Sequence, residues 1–119
     1  MRRIGAVLAP KATASYTQSV NVWSFLAEAA TKSPERPALR QGNRVLDYRA
    51  AMNAAMRLSA TLQARSVQPG DRVACLMRND IDHFVAYFGV AAAGAILVSL
   101  NTRLAAGEQR SILAHSGSV

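Results

Sequence analysis

Residues 72–100 read RVACLMRNDIDHFVAYFGVAAAGAILVSL, and this stretch decides the fold class. Its two ends, 72–77 and 95–100, are apolar runs without polar alternation, which predicts short strands covered on both faces. Between them, residues 79–82 offer capping side chains for a helix that Gly94 terminates. Strand, helix and strand at this spacing predict an α/β fold built from βαβ units with parallel strands.

Upstream of this unit, a helix is expected to begin after Asn21, whose side chain is a good N-cap. Pro34 and Pro37 end it, because proline lacks an N–H donor and restricts the residue before it. Residues 38–40 and 44–46 then flank a glycine-containing turn, which predicts a hairpin. The residues expected on the buried face of this first helix are Val22, Phe25, Leu26 and Ala29, widened by Trp23 and Ala30.

A longer helix is predicted from its N-cap, Asp47, to about Arg65. A turn at 68–71 follows it, and a last helix is expected over 106–115. The predicted buried positions of the long helix are Tyr48, Met52, Ala55, Met56, Ser59 and Leu62. Those of the helix between the two strands are Ile81, Phe84, Val85, Phe88 and Ala92.

The composition indicates one compact domain. The chain has 119 residues, of which 50% are hydrophobic and 18% are charged. This excludes a disordered chain, a disulfide scaffold and a collagen-like fibre, and the length excludes a large self-sufficient enzyme. No apolar run approaches the roughly 20 residues that span a bilayer, so no membrane span is expected. The single cysteine, Cys75, excludes an internal disulfide and fits a reducing compartment, so a cytoplasmic location is expected.

The formal net charge of +7 raises the question of a nucleic-acid partner. The arginines are scattered singly, and they are not interleaved with the aromatic residues that stack on bases. No nucleic-acid partner is therefore expected. Residues 1–20 contain no acidic residue, and they are expected to form a flexible basic tail, with 21–119 as the folded portion.

Two glycines, Gly89 and Gly94, have the four-residue gap of a phosphate loop. Ala95 and Ile96 stand where that loop requires Lys and Ser or Thr, so a phosphate loop is rejected. Cys75, in the middle of an apolar strand, is interpreted as an inert core residue.

Asp80, Asp82 and His83 could be considered as metal ligands. The two aspartates are better explained as capping residues at a helix start, with His83 on the exposed side of that helix. His115 lies near a helix end, where a positive charge is favourable without any catalytic role. The sequence thus assigns no catalytic, cofactor-binding or metal-binding residue.

Several motifs occur in an order that is typical of one known family. Residues 46–52 (LDYRAAM) are similar to the first core motif of adenylating enzymes, and 70–74 (GDRVA) to the start of their first large strand. Residues 94–101 (GAILVSLN) resemble the second core motif, and 101–104 (NTRL) its continuation. Residues 112–117 (ILAHSG) match the end of the next helix. The chain from 21 to 119 thus resembles the N-terminal part of the adenylate-forming superfamily, which includes acyl-CoA synthetases, firefly luciferase and peptide-synthetase adenylation domains.

The chain departs from the family pattern at a few positions. Ser99 and Thr102 stand where the family usually has prolines. Ala105 occupies the place of a Ser or Thr that forms a capping box with Glu108, a loss of about 1 kcal/mol. None of these changes affects a catalytic residue of the family.

The resemblance implies a function for the family as a whole. Residues 101–104 are most similar to acyl-CoA synthetases, which use ATP to activate a fatty or aromatic acid to acyl-AMP and then form acyl-CoA. ATP, Mg2+ and coenzyme A are the cofactors so implied. The family's phosphate loop, adenine-binding motif and C-terminal lysine are not among these residues, so the chain is expected to be an incomplete, inactive N-terminal fragment that binds no cofactor by itself.

Two other functions remain open. The first is a stand-alone interaction module with a ligase-like half-fold, which would use its uncovered sheet edge for self-association or a partner. The second is RNA binding through the basic residues, which the scattered arginines make the weakest of the three hypotheses.

Overall fold

The computed structural model of the protein describes residues 21–119. The predicted basic tail, residues 1–20, lies outside the described residues. The described helices are α1 (Val22–Lys32), α2 (Tyr48–Ala64), α3 (Ile81–Ala92) and α4 (Ala106–Ser116). The described strands are β1 (Pro37–Gln41), β2 (Arg44–Asp47), β3 (Arg72–Cys75) and β4 (Ile96–Ser99). Among the described helices, none combines the length and the apolar character of a membrane span.

The central unit is β3–α3–β4, in which the two strands pair in parallel. Their register places Arg72 opposite Ile96 and Cys75 opposite Ser99. The predicted α/β class with a parallel βαβ unit is therefore confirmed. The strands are shorter than expected, since Leu76 lies outside β3, and they are not covered on both faces, since Arg72 of β3 and Ile96 of β4 are exposed.

The hairpin and the helix starts follow the sequence closely. Strands β1 and β2 pair antiparallel around a turn in which Gly42 has a φ of 55°. The side chain of Asn21 accepts a hydrogen bond from Trp23 N, and that of Asp47 accepts one from Ala50 N. Each cap satisfies an N–H group that the helix itself leaves unpaired, which fixes where the helix begins.

Helix α4 begins with half of a capping box. Ala105 N donates to Glu108 Oε2 over 2.8 Å, but the methyl side chain of Ala105 offers no acceptor in return. At the other end, Gly117 closes the helix with a φ of 62°. The predicted loss of the reciprocal hydrogen bond at Ala105 is therefore confirmed.

The core lies where α1, α2 and α3 meet. Helices α2 and α3 approach closely because their contact is made by small residues. A Cβ on Gly89 would lie 2.7 Å from Leu58 Cδ2 and 3.0 Å from Ala55 O. The residues of the main buried cluster are Trp23, Leu26, Ala51, Ala55, Ile81, Val85 and Ala92.

The buried helix faces differ in part from those predicted. Phe25 and Phe84, predicted to be buried, are 60% and 56% exposed, and Val22 is exposed as well. On α2, Ala51 and Gln63 are buried while the predicted Met52 and Leu62 are only partly covered. The periodicity assigned Phe25, Phe84 and Met52 to the core along with Leu26 and Ile81, whereas α2 and α3 make their closest approach at Gly89 and Ala55.

The outer edge of β3 carries one further backbone contact. Val119 N donates to Arg72 O over 2.8 Å, on the strand that also pairs with β4. The last described residue therefore lies alongside β3, where a further strand could pair.

Candidate functional site: a polar cavity at the strand ends

A cavity of about 500 Å3 opens at the carboxyl ends of β3 and β4. In open α/β sheets this is the edge at which ligands bind, since the loops that follow parallel strands meet there. The lining residues are Met77, Arg78, Asn79, His83, Ser99, Leu100, Asn101, Thr102 and Arg103. We refer to this site as the polar cavity.

The strand register brings the two loops of the polar cavity together. Cys75 and Ser99 are paired at the ends of their strands, and Leu100 N donates to Cys75 O over 2.8 Å. Arg78 follows β3 and Arg103 follows β4, so both residues line the same opening although 25 positions separate them. The Arg103 loop is held by the Asn101 side chain, because Arg103 N donates to Asn101 Oδ1 over 2.9 Å.

The polar cavity is electropositive. Arg78 and Arg103 are both exposed, and neither forms an ion pair with another described residue. No Asp or Glu of the described part of the chain lines the cavity. Two unpaired guanidinium groups beside amide and hydroxyl groups are suited to an oxyanion such as phosphate, to which arginine binds with a planar fork of N–H donors.

His83 lies inside this cavity, not on the exposed side of α3 as the sequence indicated. Its side chain is buried, with Nε2 3.2 Å from Ser99 Oγ. Its ring stacks on that of Tyr87, with ring centroids 5.1 Å apart. The prediction was wrong because the first turn of α3 lies above the end of β4, which covers the third residue of the helix.

Asp80, Asp82 and His83 do not converge on a common point. Asp80 accepts a hydrogen bond from His83 N, as expected of an N-cap. Asp82 forms a two-pronged ion pair with Arg44 of β2, over 2.8 and 3.1 Å, and hydrogen bonding to this guanidinium lowers the pKa of the Asp82 carboxyl. Across residues 21–119, no three His, Cys, Asp or Glu side chains are grouped as metal ligands.

The other residues that the sequence analysis considered, Cys75, Gly89 and Gly94, have structural roles. Cys75 is buried as predicted, and this burial raises the pKa of its thiol, with a smaller contribution from the charge of Asp80. Gly89 is the contact point between α2 and α3. Gly94 follows the end of α3 with a φ of 71°, in the left-handed conformation expected of a glycine at that position.

No direct sign of the polar cavity is visible in the sequence. Its residues come from two loops and a helix, and singly they resemble ordinary surface residues. The available signal was positional: residues directly after the two strands of a βαβ unit lie at one sheet edge. His83 offered no signal, because its burial depends on how α3 packs over β4.

Residues 26–119 match the family described as AMP-binding enzyme. The peroxisomal acetate/butyrate–CoA ligase of Arabidopsis thaliana is 37% identical over 109 residues, which cover 92% of this chain and 19% of that protein. A long-chain-fatty-acid–CoA ligase of Mycobacterium tuberculosis is 41% identical over 100 residues, covering 82% of this chain and 20% of that protein. The chain thus spans about a fifth of the length of the curated relatives it matches.

Solved structures agree with these relatives. The Mycobacterium tuberculosis fatty acyl CoA synthetase superimposes with a TM-score of 0.79 at 37% identity, over 82% of this chain and 20% of that one. The N-terminal subdomain of NpsA from Klebsiella oxytoca has a TM-score of 0.77 at 23% identity, over 82% of this chain and 26% of that one, and shows the fold alone. The resemblance to the N-terminal part of AMP-forming ligases is confirmed: the chain belongs to the AMP-binding enzyme family.

Proposed function

We propose that residues 21–119 form the N-terminal portion of an AMP-forming carboxylic acid–CoA ligase. The observation that carries this proposal is the likeness to the Mycobacterium tuberculosis fatty acyl CoA synthetase, at 37% identity and a TM-score of 0.79. The curated relatives act on acids of different kinds: acetate or butyrate, long-chain fatty acids and, in a protein from Amycolatopsis, ferulate. The proposed substrate is accordingly a fatty or aromatic carboxylic acid.

In the proposed reaction, ATP supplies the adenylate and coenzyme A supplies the thiol that receives the acyl group. Both cofactors carry phosphate groups, and the polar cavity offers the charge that a phosphate requires, through Arg78 and Arg103. We therefore propose that the polar cavity binds an oxyanion. The described residues offer no carboxylate cluster for Mg2+, and we assign them no role in holding that ion.

The same residues are proposed to be inactive by themselves. The 119-residue sequence has only two lysines, Lys11 and Lys32, and neither ends a Ser/Thr/Gly-rich phosphate loop. Phosphoryl and adenylyl transfer depend on positioned positive charge around the reacting phosphate. A chain with neither a phosphate loop nor a catalytic lysine has no means to stabilise that transition state.

The test of inactivity is ATP–pyrophosphate exchange by the purified 119-residue protein. Acetate, a long-chain fatty acid and ferulate serve as acids, and a full-length acyl-CoA ligase serves as the positive control. We expect exchange no faster than in a sample without protein. Acid-dependent exchange above that level would contradict the proposal.

The alternative function is a stand-alone interaction module. It is favoured by the exposed aromatic side chains Phe25 and Phe84 and by Ile96 on β4, a strand that pairs only with β3 in the described part of the chain. Light scattering after gel filtration tests it: concentration-dependent association is expected from such a surface, and a monomer at all concentrations would count against it.

A cytoplasmic location is proposed for either function. RNA binding is the least favoured of the functions considered.

A further inference from the structure

A second cavity, of about 390 Å3, is lined by residues of α2, α3, β3 and β4. Leu58 of α2, Val90 of α3 and Leu97 of β4 lie on three of its sides. It is distinct from the polar cavity, because Met77 is the one lining residue that the two have in common. We refer to it as the apolar cavity.

The lining of the apolar cavity is almost entirely non-polar. Apart from Asp82, every described residue that lines it is Ala, Val, Leu, Met or Cys, and each of these is buried or half-buried. The sulfur atoms of Cys75 and Met77 are only weak hydrogen-bonding groups. A ligand with several polar groups would leave them unpaired there, which is unfavourable, so the lining favours an apolar ligand.

The one charged residue of this lining, Asp82, already has a partner. Its carboxylate accepts two hydrogen bonds from the Arg44 guanidinium, over 2.8 and 3.1 Å. Both side chains are about half exposed, so the ion pair lies where the cavity meets solvent. A cationic ligand would compete with Arg44 for Asp82, and an anionic ligand would meet a carboxylate. The arrangement of charges therefore favours an uncharged ligand.

The volume indicates the size of such a ligand. An apolar cavity of about 150 Å3 lined by aliphatic and aromatic side chains stays dry and binds benzene. The apolar cavity of this protein has more than twice that volume, about 390 Å3, so it has room for two fused aromatic rings. A rigid ring system also loses little internal freedom on binding, so the burial of its surface is not offset by ordering.

We propose that the apolar cavity binds a small, uncharged aromatic molecule. Binding is non-covalent and is driven by the removal of apolar surface from water. The non-polar lining and the Asp82 carboxylate exclude the carboxylic acids of the proposed ligase reaction, so this ligand is not the acyl substrate. The inference is independent of the oxyanion role given to the polar cavity.

The experiment measures binding of naphthalene and of 2-naphthoate to the 119-residue protein. The two probes share the same fused rings, and only 2-naphthoate carries a charge. Titrations are followed by NMR through the methyl groups of Val90 and Leu97, which line the cavity. We expect saturable shifts with naphthalene and an affinity about tenfold lower for 2-naphthoate, because its carboxylate would be buried in a non-polar site beside Asp82.

A matched pair of variants on α2 locates the binding site. Ala54 lines the cavity, so the larger side chain of Ala54→Leu takes up part of its volume, and the affinity for naphthalene should fall about tenfold. Ala64 is exposed and does not line the cavity, so Ala64→Leu should leave this affinity unchanged. Thermal melting shows whether both variants are folded.

Several results would overturn the proposal. One is the absence of saturable shifts with naphthalene, and another is an equal affinity for the two probes. Equal naphthalene affinities of folded Ala54→Leu and Ala64→Leu would place the ligand elsewhere. Light scattering that shows a dimer of the unaltered protein, abolished by Ala54→Leu, would show that a second copy of the chain covers the cavity.

A measurement on the unaltered protein decides if Ala54→Leu does not fold. Nuclear Overhauser contacts should join the ring protons of naphthalene to the methyl groups of Val90 and Leu97. Saturable binding without these contacts would overturn the assignment of the ligand to the apolar cavity.

Discussion

At the scale of single residues, Gly89 has the most demanding position in the core. A Cβ there would lie 2.7 Å from Leu58 Cδ2 and 3.0 Å from the backbone oxygen of Ala55. The backbone of α2 cannot yield as a side chain can, so we expect Gly89→Ala to lower the free energy of unfolding by about 1–3 kcal/mol. Urea denaturation followed by circular dichroism measures this change.

The control is Gly107→Ala in the first turn of α4. A Cβ at Gly107 would find its nearest neighbour, Arg110 Nη2, only at 4.0 Å. Alanine is a better helix former than glycine, so stability should stay the same or rise by up to about 1 kcal/mol. Equal destabilisation by both substitutions would show that α2 and α3 do not meet at Gly89.

At the scale of the secondary-structure elements, the boundaries were predictable and the buried faces only in part: Leu26, Ala55 and Val85 are buried as predicted. Asn21, Asp47 and Asp80 each start a helix through a side chain that bonds to a backbone N–H a few residues on, which is a local interaction. Burial of a helix face depends on the partner helix. Phe84 has the spacing of a core residue but is 56% exposed, whereas His83 beside it is buried because it lies against Ser99 of β4.

The start of α4 offers a test of this local interaction. Ala105→Ser would supply the missing acceptor beside the existing contact from Ala105 N to Glu108. We expect the free energy of unfolding to rise by up to about 1 kcal/mol. The matched control is Ala106→Ser, one residue later, which cannot act as the cap and should lower stability by up to about 0.5 kcal/mol. A loss of stability in both variants, measured by urea denaturation, would contradict the assigned helix start.

At the scale of the whole molecule, the parallel β3–α3–β4 unit could be derived from the sequence, and the family could be recognised from the order of its motifs. The polar cavity could not, because it exists only once the register pairs Cys75 with Ser99 and brings the loops of Arg78 and Arg103 side by side. The polar cavity and the family likeness both favour a phosphate-containing ligand. The residues described here supply architecture and two exposed arginines, and the proposed inactivity of the isolated chain is tested by ATP–pyrophosphate exchange.

The most direct test replaces the matching residues of the Mycobacterium tuberculosis long-chain-fatty-acid–CoA ligase, a 41% identical relative, by residues 21–119 of this chain. The measurement is ATP-dependent formation of acyl-CoA from a long-chain fatty acid, with the unaltered ligase and the isolated 119-residue protein assayed beside the chimera. Thermal melting confirms that the chimera is folded. We predict acyl-CoA formation by the chimera and none by the isolated chain. A folded chimera that forms no acyl-CoA, or an isolated chain that does, would contradict the account.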